Sequence, residues 1–210
     1  MRITLNILLI GAILLLLYMC FRSIMNVQEF NNERELREKA IQTRLIDIRK
    51  AQIEYKNLHG FHAGSFEDLV TFLNEEKLPF VIKEGSLTDE QMEKGMTEEK
   101  AVKEGLIRRD TTWVLAKDTL FGPGFNPSEL AIVPIAGGNA RFSMDTATIS
   151  SGSGYSVKVF ESGVLYDTYL RDLDRQELIN LKDKMQKMGK FLGLRVGSVT
   201  EINNNAGNWE

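Results

Sequence analysis

Beyond residue 20 the chain has no cysteine, and it carries only two histidines in 210 residues. The lone Cys20 excludes a disulfide framework on either side of a membrane. Between Ser23 and Leu58 there is neither proline nor glycine, so nothing in that stretch breaks a helix. Positive charge is not in excess. Of 26 Lys and Arg against 29 Asp and Glu, only Arg2 and Arg22 flank the N-terminal apolar run, which leaves the remainder with a net charge of −5. That balance argues against a nucleic-acid partner, which needs a basic face to neutralise phosphates.

What the chain does have comes first in the sequence. Ile7 to Phe21 reads ILLIGAILLLLYMCF, an unbroken apolar run. Counted from Ile3 it spans about 19 residues, roughly 28 Å as a helix, close to the thickness of a bilayer core. Ile7, Leu9, Leu14, Leu16 and Phe21 are its expected lipid-facing anchors. A cleaved signal would carry a shorter run and an Ala-x-Ala site. Here the run ends Tyr18-Met19-Cys20-Phe21-Arg22, with Met19 where a lipoprotein box needs a small residue. The expectation is an uncleaved anchor, with Cys20 an ordinary apolar residue of the helix. The short N-terminal flank places that end in the cytoplasm and the bulk of the chain outside it.

Residues 23–58 read as a helical stalk, roughly 54 Å long at 1.5 Å per residue. Ile41, Leu45, Ile48, Gln52 and Tyr55 follow four- and three-residue steps along one seam. Such a seam packs either on the protein's own domain or, as a short coiled coil, on another chain. Ile41, Leu45, Ile48 and Tyr55 are accordingly candidate partner contacts. Gly60 supplies the stop.

Residues 59–210 read as an α+β head: a small antiparallel sheet with flanking helices. Ser65-Phe66-Glu67-Asp68 opens a short helix carrying Leu69, Val70, Phe72 and Leu73. Phe80-Val81-Ile82 suits a buried strand and Thr111 to Leu120 another. Ala131 to Ile135, with Pro134, suits an edge strand or bulge. Arg141 to Ile149 and Tyr155 to Phe160 form the best hairpin, turning through Ser150 to Gly154. Asp174 and Glu177 cap a last helix with Leu178, Leu181, Met185, Met188 and Leu192 on one face, and Leu194 to Val199 returns as a strand. Residues 83–110 are mostly charged and glycine-punctuated, and read as a solvated insertion with short helices capped at Thr88 and Thr97.

The layout of the first 60 or so residues resembles type IV pilins and pseudopilins, whose half-membrane, half-amphipathic helix supports an α/β head. Those proteins carry Gly before Phe or Met, and a Glu five residues into the run. Here the run follows Met1-Arg2 and no acidic residue precedes Glu29, so the likeness is one of shape. In wording, IRKAQIEYKNLHGFHAGSFEDLVTFL, GLIRRDTTWVLAKDTLFG and the tail GLRVGSVTEINNNAGNWE resemble a group of uncharacterised single-pass membrane proteins of Bacteroidota-type bacteria. That resemblance implies a single-pass protein of the inner membrane with its head in the periplasm. It implies no activity.

Chemistry-bearing patterns are thin. His59 and His62, with Glu67 and Asp68 nearby, match no metal-ligand spacing, and no metal or other cofactor is expected. Gly152-Ser153-Gly154 lacks the strand-to-helix setting of a nucleophile elbow and reads as a hairpin tip. Gly122-Pro123-Gly124 has no lysine or helix after it to cradle a phosphate. Arg108-Arg109-Asp110 suits an anionic partner or a solvated face. The tail from Asn203 reads as frayed, unless Trp209 docks in a groove. No catalytic residues are expected. The expectation is a non-enzymatic structural or assembly subunit of a bacterial envelope complex, pilus-like or secretion-like, its partners the lipid bilayer and other envelope proteins or a second copy held through the stalk. A periplasmic ligand-binding or sensing head acting through a membrane partner is the alternative.

Overall fold

The computed structural model describes residues 2–93, 95–135, 140–150 and 154–210, with the side chains of 2–5, 80–84, 90, 92, 109 and 110 left aside. The fold is α+β. A helix α1 runs unbroken over Arg2–His59, and small antiparallel sheets with short flanking helices follow. Gly60 ends α1 in the left-handed conformation (φ +78°), its N–H donating to the Lys56 carbonyl at 2.7 Å.

The chain divides into two compact units, Met1–Ser65 with Leu130–Glu210, and Phe66–Glu129. In the first unit, β3 (Ser143–Ser150), β4 (Ser156–Leu165) and β5 (Gly193–Gly197) form an antiparallel sheet in that order, with β4 central. Two helices, α6 (Tyr166–Tyr169) and α7 (Arg175–Lys187), fill the connection from β4 to β5, and Asp174 caps α7 by accepting from the Gln176 and Glu177 N–H groups. Gly197 is required where it stands. Its φ is +72°, and a Cβ there would sit 2.1 Å from the Phe160 carbonyl oxygen.

The second half of α1 packs on β4 and β5. Phe30, Arg37, Ile41, Leu45, Ile48 and Gln52 are buried, one stripe at helical spacing. Ile41, Leu45 and Ile48 have no exposed surface, and each contributes about 2 kcal/mol by burial. The partner-contact expectation for these three residues is therefore corrected: the seam is this unit's own core. The free stalk shrinks accordingly, because the head grips α1 from Phe30 onward.

The second unit comprises α2 (Phe66–Glu75), β1 (Lys77–Glu84), α3 (Asp89–Glu93), α4 (Glu98–Lys103), β2 (Arg108–Leu115), α5 (Ala116–Leu120) and a 3-10 turn at Pro127–Glu129. β1 and β2 pair antiparallel, Lys77 opposite Leu115 and Glu84 opposite Arg108. The strand expected over Thr111 to Leu120 thus stops at Leu115, where Thr119 Oγ1 donates to the Leu115 carbonyl at 3.2 Å and closes the α5 turn. The charged insertion is shorter than 83–110, since strand pairing takes both of its ends. It is also not wholly solvated: Ala101 and Ile107 are buried, and a Cβ at Gly85 would meet the Leu106 carbonyl at 2.4 Å. The segment Ala131–Ile135 makes only an isolated bridge, Ile132 opposite Arg141. Gly152 and Ser153 of the expected hairpin tip lie outside the described residues.

The C-terminal tail is docked, not frayed. Residues 206–208 lie along the outer edge of β5, with Gly197 N–H donating to Ala206 O and Asn208 N–H to Arg195 O, both at 3.0 Å. The Asn208 side chain copies a further ladder pair, accepting from Arg195 N–H at 3.0 Å and donating to Gly193 O at 2.9 Å. Arg49 of α1 holds the end through Glu210 Oε1 at 2.7 Å. Trp209 is half-buried, its ring over Gly207 of its own tail. At about 1 kcal/mol per net hydrogen bond, deleting Gly207–Glu210 should lower the unfolding free energy by about 2–4 kcal/mol. Denaturant titration of the full chain in mild detergent checks this, and unchanged stability would restore the frayed tail.

Candidate functional site

Three places in the first unit gather unusual side chains. The first is the N-terminal half of α1. Every described residue from Asn6 to Glu29 is exposed, and the most apolar 18-residue window has a mean hydropathy of 2.4 with none of it buried. Ile7, Leu9, Leu14, Leu16 and Phe21 all lie on this uncovered cylinder. The helix is long and apolar enough to cross a membrane.

The second is a clasp just past that segment. Arg37 is buried, yet its guanidinium has four short contacts: Asp172 Oδ1 at 2.6 Å and Oδ2 at 2.8 Å, the Tyr169 carbonyl at 2.6 Å and Glu33 Oε1 at 2.9 Å. The hydrogen bond from Arg37 holds the Asp172 carboxyl below its usual range. Beside it, burial raises the Glu38 carboxyl, to which Tyr169 donates at 3.4 Å. Pattern reading passes over Arg37 because a charge within a polar run looks solvated. The clasp fastens the α6–α7 connection to α1. Asp172→Asn keeps the shape and removes the charge, and is expected to cost about 1–2 kcal/mol, measured by denaturant unfolding.

The third is the far end of α1. Gln52, fully buried, exchanges two 3.0 Å hydrogen bonds with Ala63 and so fixes the turn that follows the helix. On that turn His62 is buried against the Phe160 ring, with centroids 4.8 Å apart, and neither ring nitrogen makes a hydrogen bond of normal geometry among the described residues. Burial, with the nearby Lys56 charge, pushes the imidazole down to about 4. His62 forms part of the wall of an open cleft of about 300 Å³, together with Phe61, Thr146, Thr148 and Lys158. The ammonium groups of Lys56 and Lys158 bind backbone carbonyls, of Lys158 at 2.9 Å and Gly60 at 3.2 Å. Neither has a carboxylate partner among the described residues.

No protein-family model, curated protein or solved structure matches this chain. Its chemistry must therefore be read from the residues alone.

The remaining expected contacts are scattered. Tyr55 is half-buried in an aromatic group with His59 and Phe61, at centroid distances of 4.3 and 5.9 Å. Arg108 is exposed at the start of β2, and Arg109 follows it in the strand, opposite Lys83. Trp209 is half-buried, with its ring over Gly207 of its own tail. Among the described residues no three side chains capable of holding a metal come together, and Glu67 and Asp68 lie in the first turn of α2.

A neutral buried imidazole makes the fold acid-sensitive. The folded state binds the proton only near pH 4, whereas an exposed histidine binds it near pH 6.5. Its contribution is whole above about 6.5 and is lost as the pH falls toward 4, by up to about 3 kcal/mol. Replacing the ring by His62→Phe should flatten the melting temperature between pH 7 and pH 4.5, and an unchanged slope would assign the acid sensitivity elsewhere.

Proposed function

We propose that this protein is a membrane-anchored, non-catalytic subunit of a bacterial envelope assembly, its apolar helix in the inner membrane and its head in the periplasm. The observation that carries the reading is the continuity of α1. The segment fit to cross a bilayer and the stripe at the centre of the head's core belong to one helix without proline or glycine after Gly11. Anchor and core are thus joined with no flexible linker, and the head is held at a fixed height and orientation near the bilayer. Such coupling serves a part that must present a surface in register with neighbours. A ligand-binding head is the second reading, favoured by the cleft beside His62.

The buried seam moves the expected contact away from Ile41, Leu45 and Ile48. The uncovered surface of α1 lies earlier, at residues such as Leu16, Ile24 and Leu36. Photocrosslinking residues placed at these three positions in cells should give one recurrent protein adduct, seen after purification in mild detergent. Free monomer at all three sites, with activation verified on a control protein, would overturn the assembly reading.

A further inference from the structure

The two edges of the β3–β4–β5 sheet are treated differently. Along β5 the tail supplies a substitute strand, so that edge is closed. Along β3 the chain withdraws early. Phe142 N–H still donates to Ala131 O at 2.9 Å, but from Ser143 to Ser150 no segment other than β4 pairs with the strand among the described residues. This edge is eight residues long and carries no proline, lysine or arginine, the devices that usually block edge pairing. Thr146 and Thr148 are exposed on it.

The cleft adjoins this edge. Register places Thr148 opposite Lys158 and Thr146 opposite Phe160, so these four side chains share the sheet face that turns toward His62. Asp145, the one charge on β3, falls on the other face by alternation, where its Oδ1 accepts from Thr146 N–H at 2.8 Å. A strand added to β3 would bring every second side chain onto the Lys158 face, next to the Lys158 ammonium, which lines the cleft and has no carboxylate partner among the described residues. Backbone pairing would supply affinity, and the basic cleft would select the side chain entering it.

We propose that the open edge of β3 docks an extended segment of a partner protein as a fourth strand, with an acidic side chain of that segment seated in the cleft between Lys158 and Phe61. The inference rests on the reading of the head as a presenting surface, and it names where and by what chemistry a partner is held. The Lys158 ammonium lines the cleft and meets only neutral groups among the described residues, the Gly60 carbonyl and the Phe61 ring. It argues for an acidic segment over a second copy, because β3 offers a neighbouring copy no carboxylate on the Lys158 face.

The test uses the full chain in a non-ionic detergent and a fluorescent eight-residue peptide of alternating valine and threonine with one central glutamate. Counterpart peptides carry glutamine or lysine at that place, and binding is read by anisotropy. The glutamate peptide should bind at least tenfold more tightly than the lysine peptide. Lys158→Glu should reverse that order, a gain of binding that a damaged fold cannot mimic. Thr148→Pro, which spoils the edge, should abolish binding of all three, with the melting temperature recorded as a control; Thr148→Lys, a milder block, should weaken it. Equal binding of the three peptides, or none, would overturn the proposal. So would association of the chain with itself that Thr148→Lys abolishes, since the occupant would then be a second copy. These arms do not involve the exposed helix, so they can fail while crosslinking through Leu16, Ile24 and Leu36 succeeds.

Discussion

The burial of one stripe of α1 against β4 and β5 supports the rest of the first unit. Ile41, Leu45 and Ile48 lie at its centre, without any exposed surface. One face of the three-stranded sheet is covered by this helix. The same helix carries an apolar run that no described residue covers. The stripe at the core and the apolar run are therefore two parts of one unbroken helix. Loss of the stripe would leave both the sheet and the orientation of the head without a frame.

Polar residues of α1 then fix the loops around that frame, each reaching a segment distant in sequence. Arg37 takes hold of Asp172 and the Tyr169 carbonyl, and Arg49 of Asn205 and Glu210. Gln52 clasps Ala63 in the turn that carries His62. The first lies just past the apolar half of α1 and the last near the end of the helix. Between them the tail closes one sheet edge, while β3 leaves the other open beside a basic cleft. This asymmetry, more than any side-chain constellation, separates a surface that is finished from one that is available. The wall of that cleft includes Phe61, His62, Thr146, Thr148 and Lys158.

Much of this was legible from periodicity. The unbroken apolar run, the seam at four- and three-residue steps, the hairpin of alternating residues and the Asp174 cap depend on local pattern, and all stand where pattern placed them. The misreadings share a cause. Thr111 to Leu120 is rich in strand formers, but the chain turns at Ala116, where helix formers and a hydroxyl on a carbonyl compete locally. The polar tail looked frayed because an Asn-rich sequence has no apolar reason to dock. It docks through backbone pairing along β5, supplemented by the Asn208 amide and the Glu210 carboxylate, polar groups whose partners lie far away in sequence.

The sequence by itself determined the α+β class, the membrane-length helix, the absence of disulfide bonds and which face of α1 seeks cover. These follow from composition and spacing, which act over a few residues. Only the tertiary structure decided what the seam covers. It also decided that the head divides into two units, the first of them discontinuous in the chain. It brought Arg37 to Asp172, 135 residues away, and buried His62 against the Phe160 ring beside an open edge. A side chain's partner across such separations is set by how strands register and where loops close. No local pattern encodes that geometry.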